Sequence, residues 1–120
     1  MAGRIAGVCY VKVDGRQYDL RGSLIVSISK TERSGVAGQD AVHGYIETPR
    51  VPFISGIFSD TADLSVAELD AIDNATITAE LANGKAYILR DAWTKSAHEI
   101  DTAQGQVAVR FEGLSGDELL

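Results

Sequence analysis

Residues Asn74–Trp93 read NATITAELANGKAYILRDAW, and this stretch decides the fold class. Asn83-Gly84 is a turn dipeptide between two apolar runs, with Ile77, Ala79 and Leu81 on one face before it. A period of two on both sides of such a turn predicts an antiparallel hairpin. The same pattern recurs outward in both directions. Val8–Val13 and Gln17–Leu20 flank Asp14-Gly15, a pair suited to a type I′ turn because both central residues need positive φ. Within Ser23–Thr31, Leu24, Val26 and Ile28 alternate with Ser23, Ser27 and Ser29, and Ile25 alone falls out of pattern. In Gln106–Glu112, Val107, Val109 and Phe111 alternate with Gln106, Ala108 and Arg110. Val42–Thr48 and Val51–Ser59 are two further strand-like runs around Pro49 and Pro52. Proline removes a ladder donor, so both prolines belong at strand ends, edges or bulges.

One segment reads as helix. In Ala62–Asp73, ADLSVAELDAID, Ser65 and Glu68 have capping-box spacing, and Leu64 and Leu69 stand at staple positions around the cap. Val66, Leu69 and Ile72 share a face, so a short helix over about 65–73 is predicted, docked on the sheet because two turns do not stand alone. Residues 30–41 show no clean period, and Gly35 and Gly38 punctuate them, which predicts a long loop. The tail Leu114–Leu120 is expected to fray in isolation. The expectation is a mainly β single domain over 1–120: a β-sandwich or partly closed barrel of about 7–9 strands with one flanking helix.

Composition narrows the function classes. The net charge of −6 argues against attractive binding to nucleic acid or anionic lipid, which needs clustered Lys and Arg. Its distribution is uneven: no basic residue lies between Arg50 and Lys85, where Asp60, Asp63, Glu68, Asp70, Asp73 and Glu80 fall. Cys9 is the single cysteine, so no intramolecular disulfide forms, and its alternating context makes it a small buried hydrophobe. No apolar run reaches the ~20 residues of a membrane helix, and the first residues lack a signal-peptide core. The expected setting is therefore a cytoplasm, or a route out of it without a cleaved signal.

The search for chemistry is largely empty. His43 and His98 are 55 positions apart, and no HxxxH or CxxC spacing exists for zinc. No phosphate-binding glycine motif and no G-x-S-x-G elbow occurs. The acids of 60–80 lack the alternate-ligand spacing of a calcium loop, and Asp63 and Glu68 are explained by the helix start. Trp93 is expected to pack in the core or a subunit seam. No catalytic residue, cofactor or metal site is assigned, and an enzyme is not expected.

The blocks Asp40–Asp60, DAVHGYIETPRVPFISGIFSD, Leu81–Trp93, LANGKAYILRDAW, and Gly105–Gly113, GQVAVRFEG, resemble the tail tube proteins of Mu-like phages with contractile tails. The resemblance runs over nearly the whole chain. It implies hexameric rings stacked into a hollow tube, with four strands per subunit joined side by side into one continuous lumen-lining barrel. It further implies a sheath around the tube, a tape-measure protein inside it before ejection, a baseplate and a tail terminator at its ends, and DNA passing through without specific binding. The location implied is the virion tail, assembled in the host cytoplasm, with no membrane insertion by this chain. The long loop would reach an adjacent ring, making Arg33, Ser34, Gly35, Gln39 and Asp40 contact candidates, with His43 and Tyr45 where the loop rejoins the wall. Lumen-facing candidates are Ser27 and Ser29, then Gln106, Arg110 and Glu112, together with Glu47; Arg110 is discordant in charge and expected to pair with a neighbouring carboxylate.

Simple geometry suits that expectation. Strands about 4.8 Å apart and tilted about 40° take roughly 6.3 Å of perimeter each, so six subunits of four strands enclose a backbone diameter near ~48 Å, wide enough for duplex DNA. Six chains at −6 each carry −36, which repels DNA rather than binding it. Two alternatives stand beside this reading: the tube of a tail-derived injection particle of the pyocin or type VI kind, and a small-molecule-binding β-barrel.

Overall fold

The computed structural model describes residues 9–119. The deciding hairpin is present as β7 (Ala75–Leu81) and β8 (Ala86–Thr94). Its turn is a three-residue loop: Gly84 N donates to Leu81 O at 3.1 Å, Leu81 N to Lys85 O at 2.8 Å, and Gly84 takes φ 93°. A type I turn closed by a left-handed glycine is the standard three-residue hairpin connection. The Asn83 carboxamide accepts from Lys85 N at 3.1 Å and holds the loop. β1 (Cys9–Val13) and β2 (Arg16–Tyr18) are joined by Asp14 and Gly15 at φ 49° and 86°, the positive values a type I′ turn requires. Asp14 also stitches this turn to β7, its N donating to Thr76 O and its Oδ1 accepting from Thr76 N, both at 2.9 Å.

Two sheets form. The first runs β2-β1-β7-β8, with β11 (Ser115–Leu119) on the other side of β8. The tail expected to fray is thus a paired strand for most of its length. The second contains β3 (Leu20–Ser27), β6 (Phe53–Ser59), β10 (Gln106–Glu112) and the two-residue β9 (Ile100–Asp101). Trp93 and Thr94, at the end of β8, pair with Glu112 and Phe111 and join the sheets at one corner. A bulge turns that corner: Asp91 stands at φ 51° between the pairs Ile77–Leu89 and Ala75–Ala92. Trp93 is half-buried there. The assembly is a sandwich and not a closed barrel.

The core follows from strand alternation. Val11, Val13, Ile77, Ala79, Leu89 and Ala92 face inward from the first sheet, and Ile54, Phe58, Val107, Val109 and Phe111 from the second. Phe58 meets Phe111 edge to face at 6.4 Å and Tyr18 at 6.0 Å, the offset geometry aromatic quadrupoles favour. Gly113 is required where the chain leaves β10, because a Cβ there would lie 2.8 Å from the Arg90 carbonyl oxygen.

The helix is shorter than expected: α1 spans Val66–Asp70. Ser65 caps it through Oγ, which accepts from Glu68 N at 3.3 Å. The Glu68 carboxylate turns instead to Arg16 Nη1 at 2.6 Å, so it serves a tertiary ion pair. Leu69, 1% exposed, anchors the helix in the core, and Thr94 Oγ1 donates to its carbonyl at 2.7 Å. That side-chain bond joins the one from Ile72 N, at 3.3 Å, on the same carbonyl at the helix end.

Residues 30–41 differ most from expectation. They are not a loop: Thr31–Ala37 forms β4, paired over seven positions with β5 (Val42–Pro49), which leaves only a short tip at 38–41. Every residue from 29 to 49 is exposed. Alternation in a sequence records a buried face, and this ribbon has none, so no period marked it. The ribbon projects ~24 Å at strand rise. It explains a radius of gyration of 17.2 Å and extents of 60 × 42 × 28 Å, against roughly 13–14 Å for a compact chain of this length.

Candidate functional site

Two surfaces stand out, the ribbon and the outer face of the second sheet. On the ribbon, opposite residues share a face. One face carries Arg33 with Glu47 and Gly35 with Tyr45; the other carries Ser34 with Ile46 and Val36 with Gly44. Arg33 Nε donates to Glu47 Oε1 at 3.0 Å, and its guanidinium lies 5.1 Å from the Tyr45 ring centroid. At the tip, His43 Nε2 is 3.3 Å from Asp40 Oδ1. The imidazole packs on Gly38, where an added Cβ would fall 2.3 Å from His43 Cε1. The ribbon thus brings together all seven contact candidates, with Gln39 and Asp40 at its tip.

The ribbon carries exposed apolar side chains on both faces, among polar and charged ones. Val42 is 76% exposed, Tyr45 61%, Ile46 57% and Val36 36%. An isolated two-stranded hairpin is marginal in water, and large apolar groups bare on both sides mark a surface built to be covered.

The second sheet presents rows of outward residues: Ser27–Phe53–Glu112, then Ile25–Ser55–Arg110, then Gly22–Ile57–Ala108, then Ser59–Gln106–Asp101. Four lumen candidates, Ser27, Gln106, Arg110 and Glu112, share this face. Ser29 lies just past β3, where its carbonyl accepts from Arg50 Nη1 at 3.4 Å. Glu47 is not with them; it belongs to the ribbon. Arg110 does pair with a carboxylate, Nε to Glu112 Oε2 at 3.3 Å, and it also stacks 3.7 Å from the Phe53 centroid.

Arg50 and Phe53 were missed by sequence reasoning. The Arg50 guanidinium bonds Ser27 Oγ and lies 5.6 Å from the same ring, tying the root of the ribbon to the sheet. Pro49–Phe53 was read as strand ends around two prolines and as part of the resemblance, with no role for the Arg50 and Phe53 side chains. Ile25, the out-of-pattern residue, is 56% exposed on this face because a register shift at Ser23, φ 55°, turns it outward.

Charge is distributed differently from the chain average. Asp60, Asp63, Glu68, Asp70 and Asp73 are exposed residues in and around α1, and Glu80 pairs with Lys12 at 3.3 Å on the first sheet. The second sheet's outer face sets Glu112 and Asp101 against Arg110 and Arg50. This is a near-neutral, small-residue surface rather than an acidic one. The sheet also ends in exposed edges: β3 is paired on one side only, and β9 covers only Gln106 and Val107 of β10. An unpaired edge is a template for another chain.

The histidines stay apart. His98 Nδ1 is 2.6 Å from Asp70 Oδ1 beside α1, while His43 is on the ribbon. Among the described residues no cluster of three His, Cys, Asp or Glu is placed to hold a metal ion, and no helix is long and apolar enough to cross a membrane.

Comparison with known proteins places these surfaces in context. The chain is similar to the Mu-like prophage FluMu tail tube protein of Haemophilus influenzae, 25% identical over 114 residues and 95% of each chain. Its fold resembles the sheath/tube terminator of an extracellular contractile injection system in the extended state, with a TM-score of 0.64, 11% identity and 93% of each chain covered. It also resembles Hcp1 from Flavobacterium johnsoniae, with a TM-score of 0.61, 7% identity, and 93% of this chain and 94% of that one covered. The family model for phage tail tube proteins matches residues 2–118, and the chain belongs to that family.

Proposed function

We propose that this chain forms hexameric rings that stack into the inner tube of a contractile tail, the conduit for DNA ejection. The single observation that carries the reading is the ribbon β4–β5. It is a paired, projecting element with apolar groups on both faces and every residue exposed among the described residues. In the tube it reaches an adjacent ring and is buried between subunits, with Arg33, Ser34, Gly35, Gln39, Asp40, His43 and Tyr45 at the contact. The second sheet supplies the wall. Its edges at β3 and at β9–β10 pair with neighbouring copies, so ring closure removes them. Its outer face, with Ser27, Gln106, Arg110 and Glu112 among neighbours such as Ser55 and Ala108, lines the lumen, where balanced charge gives DNA no extended basic surface to hold. The whole chain acts as one tail-tube domain, with a sheath outside, a tape-measure protein inside before ejection, and a baseplate and terminator at the ends. Negative-stain electron microscopy of concentrated full-length protein, with and without a deletion of 32–47, tests the reading. Rings or tubes are expected from the intact chain and none from the deletion; a chain that stays monomeric even when seeded refutes it.

A further inference from the structure

We propose that the outer face of the second sheet holds a phosphate-binding site centred on Lys95 and Arg110. A depression of about 380 Å³ lies there, and Lys95, Arg110, Ser23, Ser55 and Ser96 are among the residues that line it. None of its lining residues is acidic, although the chain carries a net −6. Lys95 has no carboxylate within ion-pair distance among the described residues. Arg110 engages Glu112 through Nε, and stacking on Phe53 at 3.7 Å holds the guanidinium plane. A guanidinium fixed in this way surrenders little freedom when it binds an oxyanion.

Backbone strain gathers at the same place. Four non-glycine residues among those described take positive φ, and two of them, Ser23 at 55° and Ser96 at 66°, line the depression. Asp14 is needed by its turn, Asp91 by the corner bulge and Ser23 by the register shift in β3, whereas Ser96 lies in no turn or bulge of a strand pair. Such conformations persist where surrounding structure holds them, and they cluster at ligand clamps. Two cationic residues and three hydroxyl-bearing ones lining one hollow suit a tetrahedral group with up to four acceptor oxygens better than a planar carboxylate with two.

The phosphate has two possible sources, free phosphate or the nucleic-acid backbone. The second rests on the reading of this face as the lumen wall; the first does not. A weak site of this kind, one per subunit, would give a transient foothold on a cargo that the rest of the tube does not hold.

The test is an amide NMR titration of the labelled full chain with inorganic phosphate, against acetate at matched ionic strength. Saturable shifts confined to Ser23, Ser55, Gly56 and residues 95–97 are expected with phosphate and absent with acetate. Lys95→Gln and Arg110→Gln should each weaken binding several-fold, and the double variant should abolish it while its melting curve stays native. Flat titrations, equal response to acetate, or shifts dispersed over all basic residues overturn the site. A second arm uses a duplex of about a dozen base pairs. Shifts at the same amides assign the site to the nucleic-acid backbone, and their absence assigns it to free phosphate. Tubes that form while the phosphate titration is flat overturn the site and spare the tube reading. Phosphate binding by a chain that never assembles does the reverse.

Discussion

Replacing Ile46 with threonine separates assembly from folding. Ile46 lies on the ribbon opposite Ser34 and is 57% exposed in the free chain. Threonine keeps the β-branched shape and strand preference, so the ribbon's own geometry survives. Fully burying an isoleucine is worth roughly 1.5–3 kcal/mol, and threonine's remaining methyl retains part of that. With a little over half the side chain left to bury, the loss on assembly is about 1 kcal/mol, or ~5-fold in the association constant for each subunit added. The critical concentration for tube growth, read by light scattering and pelleting, should rise by about that factor. The melting temperature of the dilute chain should barely move, because exposed substitutions stay within about 0.5 kcal/mol. Val42→Thr repeats the experiment on the opposite face of the ribbon. An unchanged critical concentration for both variants would refute burial of the ribbon, and a large drop in melting temperature would show instead that these side chains already support the monomer.

Other outcomes follow from the same structure. Leu69→Ala should cost about 2–4 kcal/mol in urea unfolding, because a 1% exposed side chain pins the lone helix to the core. Gly113→Ala should destabilise by about 1–3 kcal/mol, since its Cβ would press on the Arg90 backbone carbonyl at 2.8 Å, a rigid neighbour. In the free chain, hydrogen exchange of β4–β5 amides should be on the order of 100-fold faster than that of β7, and it should slow to the β7 level on assembly. Ribbon amides already as protected as β7 in dilute solution would count against a free ribbon.

How much could be read in advance depended on burial. The β7–β8 hairpin, β10 and the Asp14-Gly15 turn were legible because one face of each strand meets the core and writes a period of two into the sequence. The helix start was legible because Ser65 satisfies a local donor three residues on. Its end was not: Thr94, 25 residues away, caps it through a tertiary contact. The ribbon candidates were found through family resemblance; Arg33 to Asp40 were read as loop, whereas His43 and Tyr45 fell in the strand-like run Val42–Thr48, which lies in β5. Glu47 was grouped with the sheet-face residues although its ion pair with Arg33 places it on the ribbon. Arg50 and Phe53 were passed over because their meaning lies in a stack with Arg110, 57 or more residues away in the chain.

By itself the sequence determined the fold class, the positions of most strands and the absence of familiar catalytic spacing, since these depend on residues within a few positions of one another. Tertiary structure decided which residues share the second sheet's outer face, that Glu112 and Asp101 there stand against Arg110 and Arg50, and that a glycine-bearing polar stretch is half of a bare two-stranded ribbon. Those are properties of pairing between distant segments, and a strand with no buried side leaves no periodic trace of its existence.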